Sequence, residues 1–257
     1  MVRSKAADRI SCFIFSFIIA LTLTACGGGG GDNPPPPPIS LKTSYIRHAV
    51  AGDSKTYAVT ARLYDGQTTY NLTGTATEVI LRTTVFDPIT STNCLDLYGT
   101  LALSGSGQTV NDSYHEYGLQ DSNGSILVFG EDDNGSNVWI NSSPGYYVQI
   151  VSPVTLGQSG GSTYTFTNGS SETYAYVVDG ATVISSCELG RYEAYRINVD
   201  RTTNYTNGTR FISHSQVDFV PGLGTIKQIS TGSRYQGATF LYSIDVTQTL
   251  SSTNIPY

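Results

Sequence analysis

Charge is scarce in this chain, and the scarcity excludes a good deal. Only 13% of the 257 residues are Asp, Glu, Lys or Arg, and the balance is acidic, at a formal net −6. No basic stripe or cluster stands out. Nucleic acid is therefore excluded as a partner, and so is adsorption to anionic lipid by charge alone. Histidine is rarer still. His48, His115 and His214 are the whole set, and none stands at metal-ligand spacing from another His or a Cys. No metal or other cofactor is expected. A capped apolar stripe of helical period is missing beyond the first residues, which argues against a helical fold. Cysteine is limited to Cys12, Cys26, Cys94 and Cys187, too few for a disulfide-framed scaffold.

What the chain does have is Tyr, Gly, Thr, Ser and Asn, the composition of short strands joined by polar turns. Tyr57, Val59, Ala61 and Leu63 alternate with Thr56, Ala58, Thr60 and Arg62. Tyr195, Ile197 and Val199 alternate in the same way, and so do Phe240, Tyr242, Ile244 and Val246. A period of two with one polar face describes antiparallel strands that are wet on one side. Turn pairs recur: Asp65-Gly66, Asn123-Gly124, Asn134-Gly135, Asn168-Gly169, Asp179-Gly180 and Asn207-Gly208. They supply the positive φ that tight hairpins need. The predicted fold is all-β and antiparallel, with little or no helix.

The N-terminus is of another kind. Arg3, Lys5 and Arg9 precede a mostly apolar run over residues 10–24, too short for a membrane span. It ends in Leu23-Thr24-Ala25-Cys26. This resembles the lipobox of bacterial lipoproteins. The resemblance covers residues 1–26 and implies a signal peptide over 1–25, cleavage before Cys26 and lipidation of that cysteine. Gly27, where an Asp favours inner-membrane retention in that family, implies the outer membrane. Anchoring by several acyl chains is stable, at about 0.8 kcal/mol per buried methylene.

Gly27–Gly31 and Pro34–Pro38 then form a linker, flexible first and stiff second. The prolines give a rod of about 15 Å, at roughly 3 Å per residue. Residues 26–43 read as a lipid-anchored spacer, and 44–257 as a single β domain.

That domain shows signs of duplication, with halves at about 44–150 and 151–250. Thr69-Tyr70-Asn71-Leu72-Thr73 is matched 94 positions later by Thr163-Tyr164-Thr165-Phe166-Thr167. Gly66 meets Gly160 at that offset, Glu78 meets Glu172 and Tyr98 meets Tyr192. Cys94 and Cys187 fall one position off it, and His115 faces His214 further on. Two copies suit two β halves about a pseudo-two-fold axis rather than a solenoid. Equivalent residues near such an axis approach each other. A Cys94–Cys187 bridge is therefore expected, closing a loop worth at most about 4–5 kcal/mol of chain entropy. Two buried free thiols are the alternative. The same axis makes His115 and His214 the place to look for a binding site.

Gly190-Arg191-Tyr192-Glu193-Ala194-Tyr195-Arg196-Ile197, followed by Pro221-Gly222-Leu223-Gly224-Thr225-Ile226-Lys227, resembles a pattern in uncharacterised envelope proteins built on broad antiparallel sheets. A more distant similarity is to lipoprotein carrier proteins with an open, curved sheet. Phe219 stands where that pattern usually has Trp. The segment reads as a turn, with Pro221 setting φ and the glycines allowing tight geometry.

Signals for catalysis are weak. Gly157-Gln158-Ser159-Gly160-Gly161 fits a nucleophile elbow, but a strand-like segment follows where a helix is required. The acidic run Glu131-Asp132-Asp133-Asn134-Gly135 lacks the spacing of a calcium loop. Asn71, Asn123, Asn168 and Asn204 begin glycosylation-like triplets that a bacterial lipoprotein gives no reason to use. No catalytic residue is assigned. The expected function is an outer-membrane lipoprotein whose non-catalytic β domain binds a ligand or partner. The alternatives are a carrier or sensor of an acyl chain and a hydrolase of cell-wall or extracellular polymer.

Overall fold

A computed structural model describes residues 37–132 and 135–257. The expected signal peptide, Cys26 and most of the Gly/Pro segment lie outside the described residues. No helix occurs among the described residues. The elements are β1 (Ser54–Tyr64), β2 (Thr69–Asp87), β3 (Thr92–Gly105), β4 (Gln108–Gln120), β5 (Ile126–Asp132), β6 (Asn137–Trp139), β7 (Tyr147–Ile150), β8 (Ser159–Thr165), β9 (Ser171–Cys187), β10 (Gly190–Asn204), β11 (Thr209–Val220), β12 (Gly224–Gln236) and β13 (Thr239–Thr253).

All pairings between strands are antiparallel, in the order β6-β5-β4-β3-β2-β1-β13-β12-β11-β10-β9-β8, with β7 also on β5. β6 and β7 pair with successive parts of β5 and act as one interrupted strand. The two sheet edges then meet. Ile140 bridges Phe166, Asn141 N donates to Thr165 O at 2.9 Å, and Thr167 N donates to Trp139 O at 2.8 Å. The sheet closes on itself as a barrel at this point, while most of β8 stays paired on one side, to β9.

With the exception of Phe240, the alternating residues fall where the sequence puts them. Tyr57, Val59, Ala61 and Leu63 face inward and are buried, as are Tyr242, Ile244 and Val246. Leu101 and Leu103 of β3 join Phe211 of β11 and Tyr242 of β13 in one core cluster, so facing walls touch. Gly66, Gly124, Gly135, Gly169 and Gly208 all have positive φ, as their turn pairs require. Asp179-Gly180 is different: it lies inside β9, at an irregularity in the pairing with β10.

One end of the barrel is covered. A strap, residues 37–53, crosses it. Ile39 bridges Tyr192 in parallel, Arg47 N donates to Pro221 O at 2.9 Å, and Ala49 N donates to Gln120 Oε1. The β9–β10 tip reaches β13, with Glu188 N donating to Leu250 O at 3.1 Å. The Pro221–Gly224 segment is the turn expected, with Leu223 N donating to Val220 O at 2.8 Å and Gly224 at φ 87°. It also docks the strap.

The expected Cys94–Cys187 bridge is not formed, and both thiols are free. Cys94 lies near the start of β3 in a small cluster with Tyr117, Phe129 and Trp139. Cys187 ends β9 and packs against the main core. One cysteine near the start of a strand and one at the end of another are not equivalent points of a repeat. The 94-residue register likewise sets Gly66, in a turn, against Gly160, inside β8.

β2 leaves no room for a side chain at Gly74, where a Cβ would sit 1.9 Å from the Ala102 carbonyl oxygen of β3. Gly74→Ala is expected to cost about 3 kcal/mol or more, read as a lowered thermal midpoint by circular dichroism. An unchanged midpoint would contradict this register.

Candidate functional site: a charged lumen and an aromatic rim

The barrel encloses charge. Lys55 follows the inward phase of Tyr57 and Val59, and Glu78 that of Leu72 and Ala76. Glu172 follows Tyr174 and Tyr176, and Arg201 follows Ile197 and Val199. Glu116 faces inward from β4. All five are buried. The sequence carried the signal, a charged residue in step with the apolar face of its strand, and composition alone does not show it.

Arg201 is the best-satisfied member. Its Nε lies 3.1 Å from Glu172 Oε1, and its Nη2 donates to the Tyr147 hydroxyl at 3.1 Å. The guanidinium lies over the Tyr174 ring, 5.5 Å from its centroid. Glu172 also accepts from the Tyr164 hydroxyl, and from Thr203 Oγ1 at 2.8 Å. Tyr147 and Tyr164 stack with centroids 4.6 Å apart. Burial is the largest single influence and works against the Arg201 charge, but Glu172 together with Tyr147, Tyr164 and Tyr174 more than offsets it and holds the guanidinium ionised.

Burial pushes the Glu116 carboxyl up to about 8; Arg201 opposes the shift, while Glu78 and Glu172 add to it. Its Oε1 has no hydrogen-bond partner. Glu78 is also pushed up to about 8 by burial, against Lys55 and two tyrosine hydroxyls. Those hydroxyls are Tyr114, donating to Oε1 at 3.1 Å, and Tyr57, donating to Oε2 at 3.4 Å. Burial brings Lys55 down to about 8, although Glu78 stands opposite it on the neighbouring strand.

The outer wall at the far end, away from the strap, is aromatic. Tyr64, Phe240 and Tyr235 form a row across β1, β13 and β12, with centroid separations of 6.2 and 6.0 Å. Arg210 of β11 extends it, 5.7 Å above the Tyr235 ring. Phe240 shares the sequence phase of buried Tyr242, yet it is 37% exposed. A bulge opposite Arg234 and Tyr235 reverses the phase there and turns Phe240 outward.

The other candidates fall apart. His115 and His214 are not brought together, since β3, β2, β1, β13 and β12 separate their strands. Each instead pairs on the outer wall with a carboxylate of the preceding strand, Asp96 at 2.8 Å and Asp200 at 2.7 Å. His48 is exposed in the strap. Among the described residues no group of three or more His, Cys, Asp or Glu is placed to hold a metal ion. Ser159 opens the edge strand β8, with no helix behind it, so the elbow motif is not an elbow. Of the acidic run, Asp132 accepts from Gly135 N at 2.8 Å, while Asp133 and Asn134 lie outside the described residues.

No family model matches the chain, and no curated protein matches it. Two solved structures show a likeness to this chain. One is described as a putative exported protein with a YmcC-like fold from Bacteroides fragilis, 11% identical, covering 82% of this chain and 99% of its own, at a TM-score of 0.37. The other is a putative lipoprotein from Parabacteroides distasonis, 9% identical, covering 82% and 98%, at a TM-score of 0.35. At these scores neither likeness bears on function.

The lumen predicts a pH dependence with a definite sign. Glu78 and Glu116 hold protons in the folded state that the unfolded chain releases above its ordinary carboxylate pKa. Stability from these groups is full below about pH 4.5 and is lost as pH rises toward about 8. Lys55 acts oppositely: its contribution returns as pH rises from about 8 to 10.5. Glu116→Gln is expected to flatten the fall between pH 5 and 8 and to raise the thermal midpoint at pH 8 by several degrees. A midpoint lowered equally at pH 5 and pH 8 would contradict a protonated Glu116.

Proposed function

We propose that the protein is an outer-membrane lipoprotein, tethered through Cys26, whose barrel is a non-catalytic binding module. The observation that carries this reading is polarity along the barrel axis. The strap that continues from the Gly/Pro linker enters at one end, and the row of Tyr64, Phe240, Tyr235 and Arg210 stands at the other. β1 alone spans 11 residues between the ends, about 36 Å at roughly 3.3 Å per residue. A tether at Cys26 thus leaves the row facing away from the membrane. Flat aromatic faces beside a guanidinium suit the rings of a glycan and any carboxylate it carries. The scattered histidines and the edge-strand position of Ser159 favour binding over hydrolysis.

Cys26→Ala is expected to release the domain into the soluble fraction. Unchanged membrane fractionation would contradict the tether. The Tyr64→Ala/Phe240→Ala double variant alters exposed residues and is expected to keep the native melting profile. In affinity gels cast with neutral and acidic polysaccharides, it is expected to lose a retardation that the parent shows. Equal mobility of parent and variant in every gel would contradict a glycan-binding rim.

A further inference from the structure

The strap end carries exposed apolar side chains on its loops, whereas the far-end turns Asp65-Gly66-Gln67-Thr68, Ser106-Gly107 and Thr167-Asn168-Gly169-Ser170 are polar throughout. Tyr45 and Val50 of the strap are 58% and 52% exposed, and Val151 and Leu156, between β7 and β8, are 39% and 62% exposed. Hydrogen bonds join the two segments. Val154 N donates to Ser44 O at 2.8 Å, and Ile46 N donates to Ser152 Oγ at 3.0 Å. The residues on either side of Tyr45 are thus bonded into the loop that carries Val151 and Leu156. The charged neighbours are turned to partners of their own. Arg47 Nη1 lies 3.5 Å from Asp53 Oδ2, Leu41 N donates to Glu193 Oε2 at 3.1 Å, and Lys42 Nζ stands 4.5 Å over the Tyr257 ring.

The chain before the strap says what covers this face. Ile39 bridges Tyr192 near the start of β10, so the linker joins the barrel at the same end. Gly27–Gly31 and Pro34–Pro38 separate Cys26 from the strap. The glycines span about 12 Å as a coil and the prolines about 15 Å as a rod, so an anchor on Cys26 holds this end within roughly 30 Å of the head groups. A tether that short sets an effective concentration on the order of millimolar, at which a weak surface contact is populated. The glycine coil also lets the rod lie along the surface instead of standing off from it.

We propose that the strap end rests on the lipid bilayer, with Val50, Val151 and Leu156 among the upper acyl chains and Tyr45 at the level of the head groups. An exposed apolar patch marks a surface made for contact, and a ring with a polar tip is favoured at the membrane interface. The contact is apolar and needs no anionic lipid. It rests on the tether proposed above and goes further, because a tether alone leaves the barrel free to tumble. Docking holds it upright and keeps the Tyr64–Phe240 row outward.

The test replaces the acyl anchor, so that its failure is distinct from a failure of lipidation at Cys26. The mature chain, residues 26–257 with Cys26→Ala, carries an N-terminal hexahistidine tag and is held on phosphatidylcholine vesicles that contain a nickel-chelating lipid. Trp139→Phe removes the one native Trp, and the reporter is Leu156→Trp at the strap end or Gln67→Trp at the far end. Vesicles with brominated acyl chains are compared with unbrominated ones of the same nickel content. Bromine is expected to lower the Leu156→Trp emission at least about twofold and to leave the Gln67→Trp emission unchanged. Adding Tyr45→Asp and Val151→Asp is expected to abolish the quenching while the tag keeps the protein on the vesicle. The proposal is overturned if Leu156→Trp is quenched no more than Gln67→Trp, or if the quenching survives those two substitutions. It is also overturned if the tagged chain in solution is a dimer that the same substitutions dissociate, which would assign the face to a second copy of this chain.

Discussion

Closure of the sheet is the constraint on which everything else depends. When Ile140 meets Phe166, one face of most strands leaves water together. Any charge in the inward phase is then desolvated and must be paired, protonated or left in strain. The barrel uses each of these outcomes. Arg201 and Glu172 are paired and hydrogen-bonded on all sides that matter. Glu116 keeps its proton. Lys55 keeps an ammonium without a hydrogen-bond partner.

The ends of the barrel divide the remaining tasks. The covered end gathers the strap, the Pro221–Gly224 turn and the β9–β10 tip, which join distant parts of the chain through backbone hydrogen bonds. Among the described residues the far end is made of short hairpins, and Tyr64 and Phe240 stand exposed on its outer wall. Polarity of this kind suits a tethered module, because the end held by the linker cannot also be the end that reaches outward.

Much of the fold was legible in the sequence because strand phase is a local property. The alternation around Tyr57 and around Ile244 fixed which residues face inward, and Asn-Gly and Asp-Gly pairs marked five of their six turns. Asp179-Gly180 misled because the same dipeptide also serves an irregular strand, and only pairing with β10 tells the two apart. Closure was not legible, since it rests on one bridge between segments that look like ordinary loops. The cysteine bridge failed because a repeat register read from identities ignored which end of a strand each cysteine occupies. The lumen charges were legible in principle. Glu172 stands two before Tyr174, and Arg201 two after Val199. A rule that charged residues mark the wet face hides them. The aromatic rim needed the bulge beside Phe240, which local alternation places on the wrong side.

The central claim is that Glu78 and Glu116 face a closed, water-poor lumen. Carbon-13 NMR of glutamate side-chain carboxyls, assigned with Glu78→Gln and Glu116→Gln, measures it most directly. The account predicts that these two signals titrate near pH 8, well apart from those of the exposed glutamates. Titration of both near pH 4.5 would contradict it and would place them in water.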